Sequence, residues 1–166
     1  MVGRSNVGKS SLINALVRQR VARASAAPGK TRLANVYRVA RGGSRAMYLV
    51  DLPGFGFAKG DRRELDEVTQ QYFGRVGQVG RAALLIIDAR HPGLKSDLEA
   101  WRWLRSTVAR FGIVGTKIDK LARGERIRAM RELESVFEDA VLPVSAETGE
   151  GLDELWKLID RLTKSG

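Results

Sequence analysis

The chain has 166 residues, with 29 Lys+Arg against 19 Asp+Glu and a formal net charge of +10. That length predicts one domain, residues 1–166, with a core large enough to fold unaided. The lack of Cys excludes a disulfide framework, a thiolate nucleophile and a zinc–thiolate site. The longest apolar run, Ala82–Ile87, falls far short of the roughly 20 residues of a membrane span. No basic stretch followed by an apolar one opens the sequence, so a cytoplasmic, reducing setting without membrane contact is expected. The charge predicts a polyanionic partner, nucleic acid before anionic membrane.

In chain order, Gly3-Arg4-Ser5-Asn6-Val7-Gly8-Lys9-Ser10 fits the pattern G-x-x-x-x-G-K-[ST]. Glycine lets backbone N–H groups converge on phosphate oxygens, and the helix that follows, Lys9–Arg18, aims its positive end at the same anion. Lys9 is placed to reach β- and γ-phosphates, and the Ser10 hydroxyl to ligate Mg²⁺. Residues 19–30 lack periodicity and read as a loop, with Thr31 at its end in Pro28-Gly29-Lys30-Thr31. Strands are predicted at Leu33–Val39 and Ala46–Val50. Asp51-Leu52-Pro53-Gly54 closes the second of these. A carboxylate there can hold Mg²⁺, and Gly54 lets an N–H approach a γ-phosphate. Pro53–Gly60 reads as a second loop, and Arg62–Phe73 as a helix.

The apolar run Ala82–Ile87 predicts a strand covered on both faces. His91 is given a structural role. Helix Ser96–Ser106 carries Trp101 and Trp103, two apart, so one of them lies at an edge. Strand Gly112–Thr116 leads into Thr116-Lys117-Ile118-Asp119. An Asp there can accept from guanine N1 and N2, which adenine cannot match, while the Lys117 stem lies over the base. Helix Gly124–Glu138 carries Arg123, Arg126, Arg128 and Arg131 on or beside it, diluted by glutamates. Val141–Val144 reads as an edge strand because of Pro143. Ser145-Ala146 follows, small enough for a backbone N–H to reach guanine O6. The last helix, Gly151–Leu162, places Leu152, Leu155, Trp156, Ile159 and Leu162 on one face.

Taken singly, these motifs have plainer readings as turns and loops; their order is the stronger signal. It predicts an α/β, three-layer P-loop NTPase of the Ras-like kind, mostly parallel, with helices on both faces. The spelling of four segments, Gly3 through Asn14 with Ser11 included, Pro28–Thr31, Asp51-Leu52-Pro53-Gly54-Phe55-Gly56-Phe57-Ala58 and Thr116-Lys117-Ile118-Asp119-Lys120-Leu121, closely resembles the EngB family of bacterial ribosome-assembly GTPases. The resemblance covers essentially the whole chain. It implies GTP and GDP binding, slow Mg²⁺-dependent hydrolysis, and a monomeric switch in maturation of the large ribosomal subunit, with ribosomal RNA or a large-subunit precursor as partner and normal cell division and septation depending on it.

On that reading the nucleotide is held by Gly3, Ser5, Asn6, Val7, Gly8, Lys9, Ser10 and Ser11. Pro28–Thr31, Asp51, Leu52, Pro53 and Gly54, and then Thr116, Lys117, Asp119, Ser145 and Ala146 complete the set. Ser10, Thr31 and Asp51 hold Mg²⁺, and Lys9, Thr31 and Gly54 act in the chemistry. The residue after Gly54 is Phe55, which cannot orient a water, so hydrolysis is expected to be slow. In some relatives an Asn at the place of Asn6 helps bind K⁺, which sets K⁺ acceleration beside plain loop bonding for Asn6. The basic loop residues Arg18, Arg20, Arg23, Lys30 and Arg32 are expected to meet RNA phosphates.

One departure stands out: only Met1 and Val2 precede Gly3, where the family has a central strand. The expectation is an N-terminally incomplete domain whose first strand, between Ala46–Val50 and Ala82–Ile87, is cut short. Two readings compete with the switch. One is an RNA-binding module, or truncated nucleotide-binding fragment, with negligible catalysis. The other is a P-loop ATPase or kinase, against which Asp119 argues.

Overall fold

Strand β4, Ala83–Asp88, organises the molecule: all six of its residues are buried. Such a strand must be covered on both faces, and its side chains alternate between two cores. Ala83, Leu85 and Ile87 enter one core, Leu84 and Ile86 the other. The computed structural model describes residues 1–17, 35–39, 46–54 and 82–164.

A parallel sheet runs in the order β1-β4-β5-β6, with β1 at Val2–Gly3, β5 at Phe111–Thr116 and β6 at Val141–Pro143. Strands β2, Asn35–Val39, and β3, Met47–Asp51, form a separate antiparallel pair. Helices α2, Lys95–Thr107, and α3, Arg123–Phe137, supply Trp101, Leu104, Leu133 and Phe137 to the first core. Helices α1, Lys9–Val17, and α4, Leu152–Thr163, supply Leu12, Ile13, Leu16, Leu155, Trp156 and Ile159 to the second. This is the three-layer α/β fold expected. Its parallel sheet and its antiparallel pair meet at the chain's first residues.

There β1 is two residues long, with Val2 opposite Leu85 and Gly3 opposite Ile86. On its other side the Met1 carbonyl accepts from Leu52 N at 3.1 Å, and the Met1 amino group donates to the Val50 carbonyl. The short strand therefore lies between β3 and β4, where a central strand was expected. Gly3 is required for this fit: a Cβ would stand 2.6 Å from the Ile86 carbonyl oxygen.

Elsewhere the predicted elements hold with boundary shifts of one or two residues. Proline ends the edge strand β6, where its missing N–H leaves no ladder bond unmade. Trp101 is buried in a T-shaped contact with Phe137, ring centroids 5.9 Å apart, and Trp103 is half-buried. The helix Arg62–Phe73 lies outside the described residues. Among those described, no helix is long and apolar enough to cross a membrane.

A buried ion pair fastens α2 to the loop after β1. Asp97 is fully buried and accepts from Arg4 Nε at 3.2 and 3.4 Å. Burial pushes its carboxyl up to about 6 from an ordinary 3.8, and Arg4 only partly opposes this. The folded protein thus binds the proton more tightly than the unfolded chain does. Stability falls as pH rises from about 4 through about 6 and is level above. Asp97→Asn is expected to remove that slope, on the order of 2 kcal/mol at about 1.4 kcal/mol per pH unit. Urea unfolding at pH 4, 5, 6 and 7 checks this; an identical slope in the variant would assign it to other groups.

Candidate functional site

Residues Gly3–Ser10 turn from β1 into α1, and the backbone there departs from ordinary geometry. Asn6 has φ 64° and Gly8 φ 103°, the left-handed region that wraps a loop tightly. Lys9 is buried, and its Nζ donates to the carbonyls of Gly3 at 2.9 Å and Arg4 at 3.2 Å. The ammonium therefore spans the loop's mouth. Burial lowers its pKa to about 8, with Asp51 opposing. Ser10 lies at the start of α1.

Asp51 ends β3 and is 2 % exposed. Its Oδ1 is buried without a hydrogen-bond partner. Burial pushes this carboxyl up, while the nearby Lys9 charge pulls it down. A buried carboxylate oxygen with no donor is costly unless something else meets it. Three residues on, Gly54 lies against the loop: a Cβ there would stand 2.8 Å from Ser5 N, Cα and Oγ.

The other end is built from two strand ends. Thr116 closes β5, and its Oγ1 lies 2.6 Å from the Val7 carbonyl and 3.0 Å from that of Ile87. Lys117 follows with φ 61°, and its Nζ donates to the Asn6 carbonyl at 2.5 Å. A 3₁₀ turn, Ile118–Lys120, then presents Asp119. Ser145 Oγ donates to Asp119 Oδ1 at 2.7 Å, and Lys120 Nζ lies 3.1 Å from Oδ2. The Ser145 bond chiefly, then Lys120, holds this carboxyl below its ordinary value. An ionised carboxylate offers about four lone-pair sites, so two remain for an incoming pair of donors. Ser145 is itself fixed, since its Oγ accepts from Thr148 N at 3.1 Å. Ala146 follows it, half-buried.

Three comparisons bear on this arrangement. A family described as 50S ribosome-binding GTPase matches residues 1–117. The "Probable GTP-binding protein EngB" of Chlorobaculum tepidum is 42% identical over 98% of this chain and 85% of its own length. The chain belongs to the EngB family of GTP-binding proteins. A crystal structure of a probable EngB superposes with TM-score 0.73 at 25% identity, covering 98% of this chain and 96% of that one. Era, in complex with MgGDPNP and a 16S ribosomal RNA segment, superposes with TM-score 0.83 at 26% identity, over 99% of this chain and 56% of that chain. As an EngB-family member the chain is a GTP-binding GTPase.

The structure gathers Gly3, Ser5–Ser11, Asp51–Gly54, Thr116, Lys117, Asp119, Ser145 and Ala146 at the ends of β1, β3, β5 and β6. Pro28, Gly29, Lys30 and Thr31 lie outside the described residues, as do the loop arginines from Arg18 to Arg32 and Phe55. On α3, Arg126 pairs with Glu150 at 2.5 Å. The sequence reading missed Asp88, Arg90 and Asp97. The charge of Asp88 at the end of an apolar strand was the one available signal.

Close packing of two loops yields a prediction. Gly54→Ala forces a Cβ into the Ser5 backbone, which must move. Overpacking of this kind costs about 1–3 kcal/mol, so GDP affinity is expected to fall by about tenfold or more. Titration with a fluorescent GDP analogue reads it. Unchanged affinity would mean that the loops part without consequence for the nucleotide.

Proposed function

We propose that this GTPase is a slow, Mg²⁺-dependent molecular switch acting on the large ribosomal subunit during its assembly, in the cytoplasm and as a monomer. The observation that carries the nucleotide part is the convergence of the Gly3–Ser10 loop, the unpartnered Asp51 oxygen and the braced Asp119 carboxylate. In this reading Lys9 leaves the Gly3 and Arg4 carbonyls for the β- and γ-phosphates. Backbone N–H groups of residues 5–11 cradle the phosphates. Asp119 accepts from guanine N1 and N2, the Lys117 stem covers the base, and Ser145 and Ala146 border its O6.

Ser10, Asp51 and Thr31 are hard oxygen donors of the kind Mg²⁺ takes when phosphates complete its shell. The orphaned Asp51 oxygen supports this fit. Bound there, the ion would neutralise charge on the transferring phosphoryl group. Pro28–Thr31 and Asp51–Gly54 would respond to the γ-phosphate, ordering their loops in the triphosphate form. Phe55 follows Gly54 and cannot orient a water, which supports a low intrinsic rate. K⁺ binding through Asn6 belongs to the same proposal.

Support for the ribosomal part comes from the family's description, the net charge of +10 and the RNA bound by Era. A dependence of cell division and septation on this protein would follow from failed subunit assembly. The test is co-sedimentation of the full chain with large ribosomal subunits in a non-hydrolysable GTP analogue and in GDP, with hydrolysis measured in K⁺ and in Na⁺. Analogue-dependent binding and slow hydrolysis are expected. Equal binding in both nucleotides with no hydrolysis would favour the RNA-binding module instead, and equal rates in the two salts would remove the K⁺ role.

A further inference from the structure

Asp88 ends β4, is 3 % exposed, and belongs to none of the motifs above. Arg90 grips it with both arms of its guanidinium: Nε to Oδ1 at 2.9 Å and Nη2 to Oδ2 at 2.7 Å. The Arg90 backbone N–H adds a third bond to Oδ1 at 3.1 Å. These bonds orient the carboxylate in one rotamer. Its Oδ2 also lies 2.9 Å from Lys117 Nζ, the ammonium that donates to the Asn6 carbonyl in the Gly3–Ser10 loop. Lys117 thus bridges two acceptors from different parts of the fold. Burial works to raise the Asp88 carboxyl, but the Arg90 and Lys117 hydrogen bonds outweigh it, leaving it down at about 2.

Lys117 is half-buried and left-handed, with φ 61°, and it caps the turn that presents Asp119. Asp88 is already well satisfied by Arg90, so its contact with Lys117 is not needed to neutralise it. What that contact fixes is the lysine. With the carboxylate in place, a long side chain that would otherwise be held only by the Asn6 carbonyl is fixed in the one rotamer that ties the guanine loop to the phosphate loop.

We propose that Asp88, oriented by Arg90, is a positioning residue for guanine-nucleotide binding, acting through Lys117 on the spacing of the two loops. The inference rests on the nucleotide reading above. If the wild type fails to bind GDP, that reading fails. If it binds and the variants below do not differ from it, only the role of Asp88 fails.

The experiment is a double-mutant cycle on the full chain, read with a fluorescent GDP analogue, with thermal unfolding as a folding control. Asp88→Asn is expected to weaken GDP by about tenfold, the scale of one charge-assisted hydrogen bond, and to raise KM for GTP far more than it changes kcat. In a Lys117→Ala background the same substitution is expected to cost less than about twofold, because the group it acts through is gone. Unchanged affinity in Asp88→Asn, or the full loss repeated without Lys117, overturns the proposal. Should Asp88→Asn not fold, Arg90→Ala takes its place. A loss of about threefold that vanishes in the Lys117→Ala background supports the proposal, and a loss that persists there overturns it.

Discussion

Asp119→Asn is expected to weaken GDP by about 10²–10⁴-fold and to abolish the preference for GTP over ATP. Each of the two charge-assisted hydrogen bonds proposed to guanine would contribute about 1.5–3 kcal/mol, and both would change together. The protein should stay folded, because the Asn carbonyl can still accept from Ser145 Oγ, which now serves Asp119 at 2.7 Å. The bond to Lys120 lies on an exposed side chain and contributes little. Competition of GTP and ATP against a fluorescent GDP analogue measures the effect. Retained guanine preference would place base recognition elsewhere.

Lys9→Met is expected to lower GTP hydrolysis by about 10²–10³-fold, the loss seen when one charge-stabilising group leaves a reacting site. The loss should exceed that of neighbouring loop substitutions, since Lys9 is a buried lysine whose charge faces Asp51. Methionine keeps the apolar stem, so core packing around the loop survives and the effect reads as function. What it cannot replace is a cation already desolvated before a phosphate arrives, which is why Lys9 stands near 8. Single-turnover hydrolysis and a melting curve on the same sample separate the two readings. Hydrolysis within tenfold of wild type would remove Lys9 from the chemistry.

Local features were legible in the sequence because they are written locally. The apolar run Ala82–Ile87 was expected to form a strand covered on both faces, and β4, Ala83–Asp88, is buried throughout. The spacing of Leu155, Trp156 and Ile159 identified the buried face of the last helix. The loop Gly3–Ser10 fixed its own turn through Gly8 and its own charge through Lys9. The Thr116-Lys117-Ile118-Asp119 segment was placed at a strand end, and Thr116 closes β5 with its hydroxyl on the Val7 carbonyl.

Pairings between distant charges were not legible. Arg4 and Asp97 are 93 residues apart, and nothing in periodicity links them. Asp88 and Lys117 meet only because β4 and β5 run parallel and in register, Asp88 opposite Thr116. At the start of the chain, Val2 and Gly3 pair with β4 and Met1 bonds the backbone of β3.

The Thr116 hydroxyl has a consequence for how a ligand is held. Its one proton goes to the Val7 carbonyl at 2.6 Å, which ties the end of β5 to the Gly3–Ser10 loop, so the loop proposed to face the base and the loop proposed to face the phosphates keep a fixed separation. On the proposed reading, a nucleoside diphosphate, whose base and phosphates are joined by a ribose, would bind as a chelate. Once one end is seated, the other meets its loop at a high effective concentration. Guanosine and pyrophosphate offered separately forgo that gain, so their combined affinities should fall well below that of GDP.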